Sequence, residues 1–261
     1  MTKPLILITN DDGYKAAGIR DLARAVSAIG DVIVVAPDGA RSGAACAITA
    51  TIPVHYSGPY EELLQCGEQV YACSGTPVDC VKLALEQIVP RKPSLIISGI
   101  NHGDNASVSC HYSGTMGAVL EGCMKDIPSI GFSLWLKRGE SYEQHPPCAD
   151  TLAAIATLCQ RVIEAGLPAD VCLNINLPVA DSFRGWRVCR QARGRWSAEW
   201  APAGNPHVRD RYFWLTGQFT DLEPDAADTD FAALRMGYGS IVPITIDMTA
   251  HSAIVQIERL K

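Results

Sequence analysis

The stretch LILITNDDGYKAAGIRDLARAVSAIGDVIVVAP, residues 5–37, reads as strand, loop, helix, strand. Residues 5–9 form a short apolar run rich in branched side chains, which suits a buried strand. Ile19, Leu22, Ala23, Val26 and Ile29 then recur at helical spacing across 16–29, and 31–37 is a second branched run. Two such strands joined by a helix predict a parallel crossover.

The same order repeats along the chain. EQVYACSGTPVDCVKLALEQIV predicts strand, turn and helix, with Pro77 in the first helical turn, where its missing N–H is not needed. PSLIISGINHGDNAS predicts a strand and a glycine-rich loop; 113–124 reads as a helix, 127–136 as a strand and 148–165 as a helix, followed by a strand in ADVCLNINLP. Between about 38 and 68 the chain reads as irregular. Together these predict an α/β fold, a mostly parallel sheet flanked by helices, over residues 1–180.

From residue 181 the texture changes. FRGWRVCRQARGRWSAEW and RDRYFWLTG mix arginine with aromatics, and Thr229 is placed to cap a short helix at DFAALR. GYGSIVPITIDMTA looks like a strand broken at Pro243. Residues 181–261 are therefore expected to form a C-terminal extension of antiparallel hairpins, with its last strands returning to the core. Tryptophan and arginine are enriched at interfaces, so the extension is a candidate subunit contact; the plainer reading is that its tryptophans complete the core.

Composition narrows the function. At 261 residues and 48% hydrophobic content, the chain can build a substantial core. Its formal charge of −6, from 22 basic and 28 acidic residues, offers no bulk attraction to a nucleic-acid duplex. A phosphate site must then be built locally, from backbone N–H groups and a cation. No apolar run approaches a membrane span, and MTKPLILITNDDG lacks the features of a secretory leader, so a cytoplasmic protein with no membrane partner is expected. The ten cysteines contain no CxxC and several lie in apolar runs, which suits small buried hydrophobes in a reducing compartment.

In open parallel sheets, ligands sit beyond the carboxyl ends of the strands. Four successive strands here feed NDDG, APDGARSG, SGTP and SGINHGDN to that edge. Asp11 and Asp12 stand out, because adjacent acids repel and are costly to desolvate unless a cation compensates. Mg²⁺ or Mn²⁺ takes oxygen ligands, and two carboxylates with the Ser42 hydroxyl and the Asn101 amide oxygen make a sensible partial shell. The structural alternatives are a helix cap plus a solvated acid for the pair, a turn former for Ser42, and a loop hydrogen bond for Asn101. Ser113, Gly114 and Thr115 open a helix, where free N–H groups and hydroxyls form either an anion cradle or an ordinary N-cap. His102 and His111 bracket the fourth loop and are left without a role. GxxxxGK[ST], GxSxG and a GxGxxG after the first strand are all absent, which disfavours P-loop, serine-hydrolase and dehydrogenase chemistry.

The pieces ILITNDDGYKAAGI, VVAPDGARSG, SGTPVDCVKLAL, LIISGINHGDN, YSGTMGAVLEG, NINLP and TDFAALRMGYGSIVP, in this order, resemble the SurE family of metal-dependent 5′/3′-nucleotidases. The resemblance implies a Rossmann-like catalytic core and a dimer or tetramer built through the C-terminal extension. It implies metal ligands at Asp11, Asp12, Ser42 and Asn101, with one Mg²⁺ or Mn²⁺ per subunit. Phosphate contacts would fall on Gly43, Asn105, Ser113, Gly114 and Thr115. The implied reaction is hydrolysis of nucleoside 5′- and also 3′-monophosphates, with short polyphosphate a further substrate and Asp11 and Asp12 as the catalytic acids. The rival reading is a nucleotide or phosphate sensor without catalysis. The chain departs from the family pattern in GAACAIT after Ser42 and in HGDNASVSCHYSGT, where Asp104 stands for a common proline and Ser107 for a glycine.

Overall fold

The computed structural model describes residues 3–60, 69–137, 139–179, 183–204 and 211–261. The expected junction at 180–181 and the 61–68 part of the irregular stretch lie outside these residues.

The elements follow in chain order as β1 (Leu5–Thr9), α1 (Ala17–Val26), β2 (Asp31–Pro37), β3 (Tyr56–Ser57), β4 (Gln69–Cys73), α2 (Pro77–Leu83), β5 (Leu95–His102), α3 (Gly114–Met124), β6 (Ser129–Trp135), α4 (Ala149–Ala165) and β7 (Val171–Pro178). Next come β8 (Trp186–Val188), β9 (Gly194–Ser197), β10 (Trp200–Ala203), β11 (Tyr212–Leu215), β12 (Gln218–Asp221), α5 (Asp230–Arg235), β13 (Gly239–Thr245) and α6 (Ile254–Glu258). The main sheet runs β3-β4-β2-β1-β5-β6-β7-β13-β8, and β4 through β7 are mutually parallel. This is the expected α/β architecture.

Both faces of the sheet are covered. α1 and α4 pack together over Ile6, Ile8, Ile97 and Phe132, while α2 and α3 pack together on the other side, near Leu5, Leu7, Val35 and Ile96. Alternate residues of β1 thus enter opposite cores, which is why the strand is apolar throughout. α1 buries Ile19, Leu22, Ala23 and Val26, the stripe its spacing foretold. α2 opens with a reciprocal cap: the Thr76 hydroxyl accepts from Asp79 N–H, and the Asp79 carboxylate accepts from Thr76 N–H, with Pro77 following the cap.

Beyond β7 the chain forms two antiparallel pairs, β9 with β12 and β10 with β11. The β9–β12 pair is anchored, since Phe219 packs on Phe231 of α5 and Phe231 meets Trp135 of β6. β13 then returns to the main sheet, antiparallel to β7. It does not break at Pro243, contrary to the expectation. Pro243 pairs in register with Leu173, while β8 on the other side reaches only as far as Ile241. Proline therefore occupies a stretch where only one flank of the strand is paired, and its missing donor costs no ladder bond. The irregular stretch also holds an unforeseen short strand, β3, antiparallel to β4.

Candidate active site

From β1 the chain proceeds outward to β2 and β4, whereas β5, β6 and β7 extend the sheet on the other side. The crevice between the ends of β1 and β5 is thus a topological switch point, where such sheets bind ligands. Asn10 shapes the turn there: its side-chain oxygen accepts from Gly13 N–H, and its side-chain amide donates to the Gly13 carbonyl. Gly13 has φ of +103°, a conformation that L side chains rarely adopt.

That turn sends Asp11 and Asp12 to different partners. The Thr115 hydroxyl donates to Asp11 Oδ1 at 2.6 Å. His102 N–H donates to Asp12 Oδ2 at 3.1 Å. Gly114 lies against Asp11 so closely that a Cβ there would sit 2.9 Å from Asp11 Cβ. Arg41 N–H donates to the Asp11 carbonyl at 2.7 Å, bringing the second loop, and with it Ser42, beside the acids. The Arg41 guanidinium turns away to Asp38 and to the carbonyls of Ser74 and Gly75. Asn101 donates its side-chain amide to the Gly103 carbonyl, which leaves its Oδ1 as a free acceptor. It stands where β5 slips register against β6, between the pairs Ser98–Gly131 and Asn101–Ser133. Such a bulge re-aims the side chains that follow it.

The electrostatics fit a cation. Asp11 is 5% exposed and Asp12 half-buried, and among the described residues neither forms an ion pair. Burial pushes Asp11 up to about 6 against its Thr115 bonds, with the charge of Asp12 adding to the rise. Burial also raises Asp12, opposed by His102. Two neighbouring carboxylates that cannot comfortably both ionise, and that form no ion pair with a lysine or arginine among the described residues, suit an ion of charge +2. Among the described residues no three His, Cys, Asp or Glu side chains are grouped to hold a metal. The Asp11, Asp12, Ser42 and Asn101 set instead offers two carboxylates, a hydroxyl and an amide oxygen, a hard all-oxygen donor set.

The expected phosphate contacts come out unevenly. Gly43 is exposed, with φ of +76° and open space where a Cβ would go. The Ser113 hydroxyl accepts from Met116 N–H at 3.0 Å, so it caps α3. The Thr115 hydroxyl is engaged with Asp11. The Ser113 hydroxyl thus caps α3, the Thr115 hydroxyl meets Asp11, and Gly114 between them lies against Asp11. Asn105 is 5% exposed and donates its side-chain amide to Ser133 Oγ at 2.7 Å. His111 is exposed, whereas the His102 ring stacks on Tyr142 with centroids 4.4 Å apart and buries an unpartnered Nε2.

With this geometry in view, comparison with known proteins is decisive. The family model described as Survival protein SurE matches residues 6–198. The chain belongs to the SurE family. Relatives named 5′-nucleotidase SurE include those of Phocaeicola vulgatus, 48% identical over 98% of this chain and 96% of the relative, and Bacteroides thetaiotaomicron, 48% identical over 98% and 95%. The crystal structure of the SurE protein from Aquifex aeolicus superposes with a TM-score of 0.78 at 30% identity, covering 98% of this chain and 99% of that one.

Against the SurE pattern, the two odd residues of the fourth loop now have physical roles. The Asp104 carboxylate accepts from Ala106 N–H, and burial pushes it up to about 6. Ser107, at φ of +51°, adopts the left-handed conformation that a glycine would take without strain. It is held there by its N–H to Asp230 and its hydroxyl to the Ala192 carbonyl. Residue-level reading missed Asn174, Asn176 and Asp230, all fully buried and bonded to this loop or its neighbours. A signal existed: two asparagines at i and i+2 of an apolar strand share one face, and a buried face that is polar needs a partner.

Proposed function

We propose that this chain is a 5′-nucleotidase that uses one divalent cation per subunit, Mg²⁺ or Mn²⁺, to hydrolyse nucleoside 5′-monophosphates to nucleoside and phosphate. We extend the proposal to 3′-monophosphates and short polyphosphate, which present the same terminal phosphoryl group. The observation that carries the reading is the adjacent pair of buried Asp11 and half-buried Asp12 at the β1/β5 crevice, neither in an ion pair among the described residues. Near-full-length relatives named 5′-nucleotidase SurE support it.

Asp11, Asp12, Ser42 and Asn101 would hold the cation. When bound, such an ion neutralises the phosphoryl oxygens and polarises the ester toward attack. Asp11, fixed by the Thr115 hydroxyl, serves as an anchored ligand. Asp12, held at Oδ2 by His102 N–H, keeps Oδ1 free to orient the attacking water and take its proton. Gly114 contributes a first-turn N–H of α3 and the space a side chain would fill. Gly43 and Asn105 complete the phosphate contacts. Direct attack by water predicts inversion at phosphorus; retention would assign the attack to Asp11 through an aspartyl-phosphate.

The partner we propose for the extension is a second copy, giving a dimer or tetramer. Trp200, Trp214 and Leu215 on the β10–β11 pair are 65%, 69% and 70% exposed, an apolar surface of the kind that subunit contacts cover. Among the described residues no helix is long and apolar enough to cross a membrane.

The test is phosphate release from a panel of nucleotides and simple phosphoesters, with each divalent ion and with excess chelator. Release from AMP that chelator abolishes and Mn²⁺ or Mg²⁺ restores is the expected result. Tight binding of AMP without release would replace catalysis by sensing.

A further inference from the structure

The fourth loop carries Asn105, and the side chains that hold its backbone at 105 and 107 come from outside its own strand. Asn105 N–H donates to Asn176 Oδ1 at 2.7 Å, and the Asn105 carbonyl accepts from Asn174 Nδ2 at 2.8 Å. Two residues on, Ser107 N–H donates to Asp230 Oδ2 at 2.8 Å. The other oxygen of Asp230 accepts from Ala192 N–H at 3.0 Å and Phe231 N–H at 2.9 Å. Ser107 Oγ donates to the Ala192 carbonyl at 2.9 Å, which closes the link between loop and extension.

These groups are all inside the protein. Asn174, Asn176, Ser107 and Asp230 are each 0% exposed, and among the described residues no basic side chain pairs with Asp230. A buried carboxylate without a counter-charge is a costly way to tie down two loops if stability were the sole requirement. Its bonds instead run to backbone N–H groups of the site loop and of the extension, where they set direction as well as distance. Ser107 also adopts a strained φ of +51° within this arrangement, and a non-glycine residue holds that conformation only where its surroundings over-determine it.

We infer that Asp230, together with Asn174 and Asn176, is a positioning set for Asn105: residues of β7 and the C-terminal extension fix the backbone at 105 and 107 so that the Asn105 side chain meets the phosphoryl group. This rests on the nucleotidase reading above. None of the three touches substrate; each acts through Asn105. The extension is thereby part of the catalytic apparatus.

The test is a double-mutant cycle with hydrogen exchange. Asp230→Asn replaces one acceptor oxygen with a donor facing an N–H, and we expect kcat/KM for AMP to fall by about tenfold or more. Amide protection at 105 and 107 should fall with it. Because Asp230 acts through Asn105, Asp230→Asn should have little further effect in an Asn105→Ala background. Equal rate losses in both backgrounds would reduce Asp230 to a structural role and overturn the inference. Unchanged protection at 105 and 107 would overturn it too. Should Asp230→Asn fail to fold, Asn176→Leu removes the acceptor for Asn105 N–H, and the same coupling and exchange results decide. A wild type that binds AMP but releases no phosphate sinks the nucleotidase reading and not the positioning set. The same cycle is then read in AMP affinity, with coupling supporting the inference and additivity overturning it.

Discussion

The β1/β5 edge and the β10–β11 pair hold opposite mixtures of surface. At the edge, polar groups are buried and tied: Asp11 to Thr115, Asp12 to His102 N–H, Asn105 to Ser133 and Asn176. On the β10–β11 pair, apolar groups are exposed: Trp200, Trp214 and Leu215 are each more than three-fifths open to solvent. The neighbouring β9–β12 pair does not share this exposure pattern, because Phe219 is packed on Phe231. An isolated two-stranded hairpin is marginal in water, so β10–β11 has a reason to seek a partner. On the proposed function, the acids at the edge take an ion and the exposed apolar surface takes a second copy of the chain.

The sharpest way to break the comparison is Asp12→Asn. Its expected effect is a loss of phosphate release of about a hundredfold or more, since even outer-shell changes at metal sites reach that size. Thermal stability should hold or rise, because one of two adjacent, repelling acids has gone. Unchanged turnover would remove Asp12 from the site. Next in size, Thr115→Val keeps the volume but takes away the hydroxyl donor to Asp11. Activity should fall by about tenfold to a hundredfold with weakened Mn²⁺ binding, measured by titration calorimetry. If Mn²⁺ affinity is untouched, Thr115 does not orient a ligand.

The extension is tested through its exposed rings. Trp200→Ser combined with Trp214→Ser should shift the species seen by light scattering toward monomer, while circular dichroism stays as in the wild type. An unaltered mass would show that this face is not the contact. The smallest effect is one of pH. Asp104 is held at about 6, above its ordinary 3.8, so between these values the folded protein binds more protons than the unfolded chain. The stability this raised value contributes is fully present below about pH 4 and is lost as pH rises through about 6. Urea unfolding from pH 4 to 7.5, in chelator, should therefore show a smaller loss for Asp104→Asn than for the wild type. Parallel curves would mean that Asp104 titrates normally.

Much of this was legible in the chain itself. Strand and helix order follows from apolar period, and the α1 stripe of Ile19, Leu22, Ala23 and Val26 needs no tertiary knowledge. Pro77 in the first turn of α2 and the cap at Thr229 are local chemistry, as are the glycine-rich loops after β1, β2, β4 and β5. The adjacency of Asp11 and Asp12 raised the question of a cation before any fold was known. Pro243 was misread because proline's effect depends on which flank of its strand is paired, and that is set by where β8 ends.

What only the tertiary structure decided are bonds between residues far apart in sequence. Thr115 and Asp11 are 104 positions apart, Asn105 and Asn176 are 71, and Ser107 and Asp230 are 123. Period and turn chemistry act over a few residues and speak for the element that contains them. Which hydroxyl meets which carboxylate depends on how crossovers bring those elements together, so the same Ser113-Gly114-Thr115 sequence is compatible with a free cradle or with a cap and a carboxylate clamp. The fold adds the long-range part, the Thr115 hydroxyl on Asp11, to the local cap at Ser113.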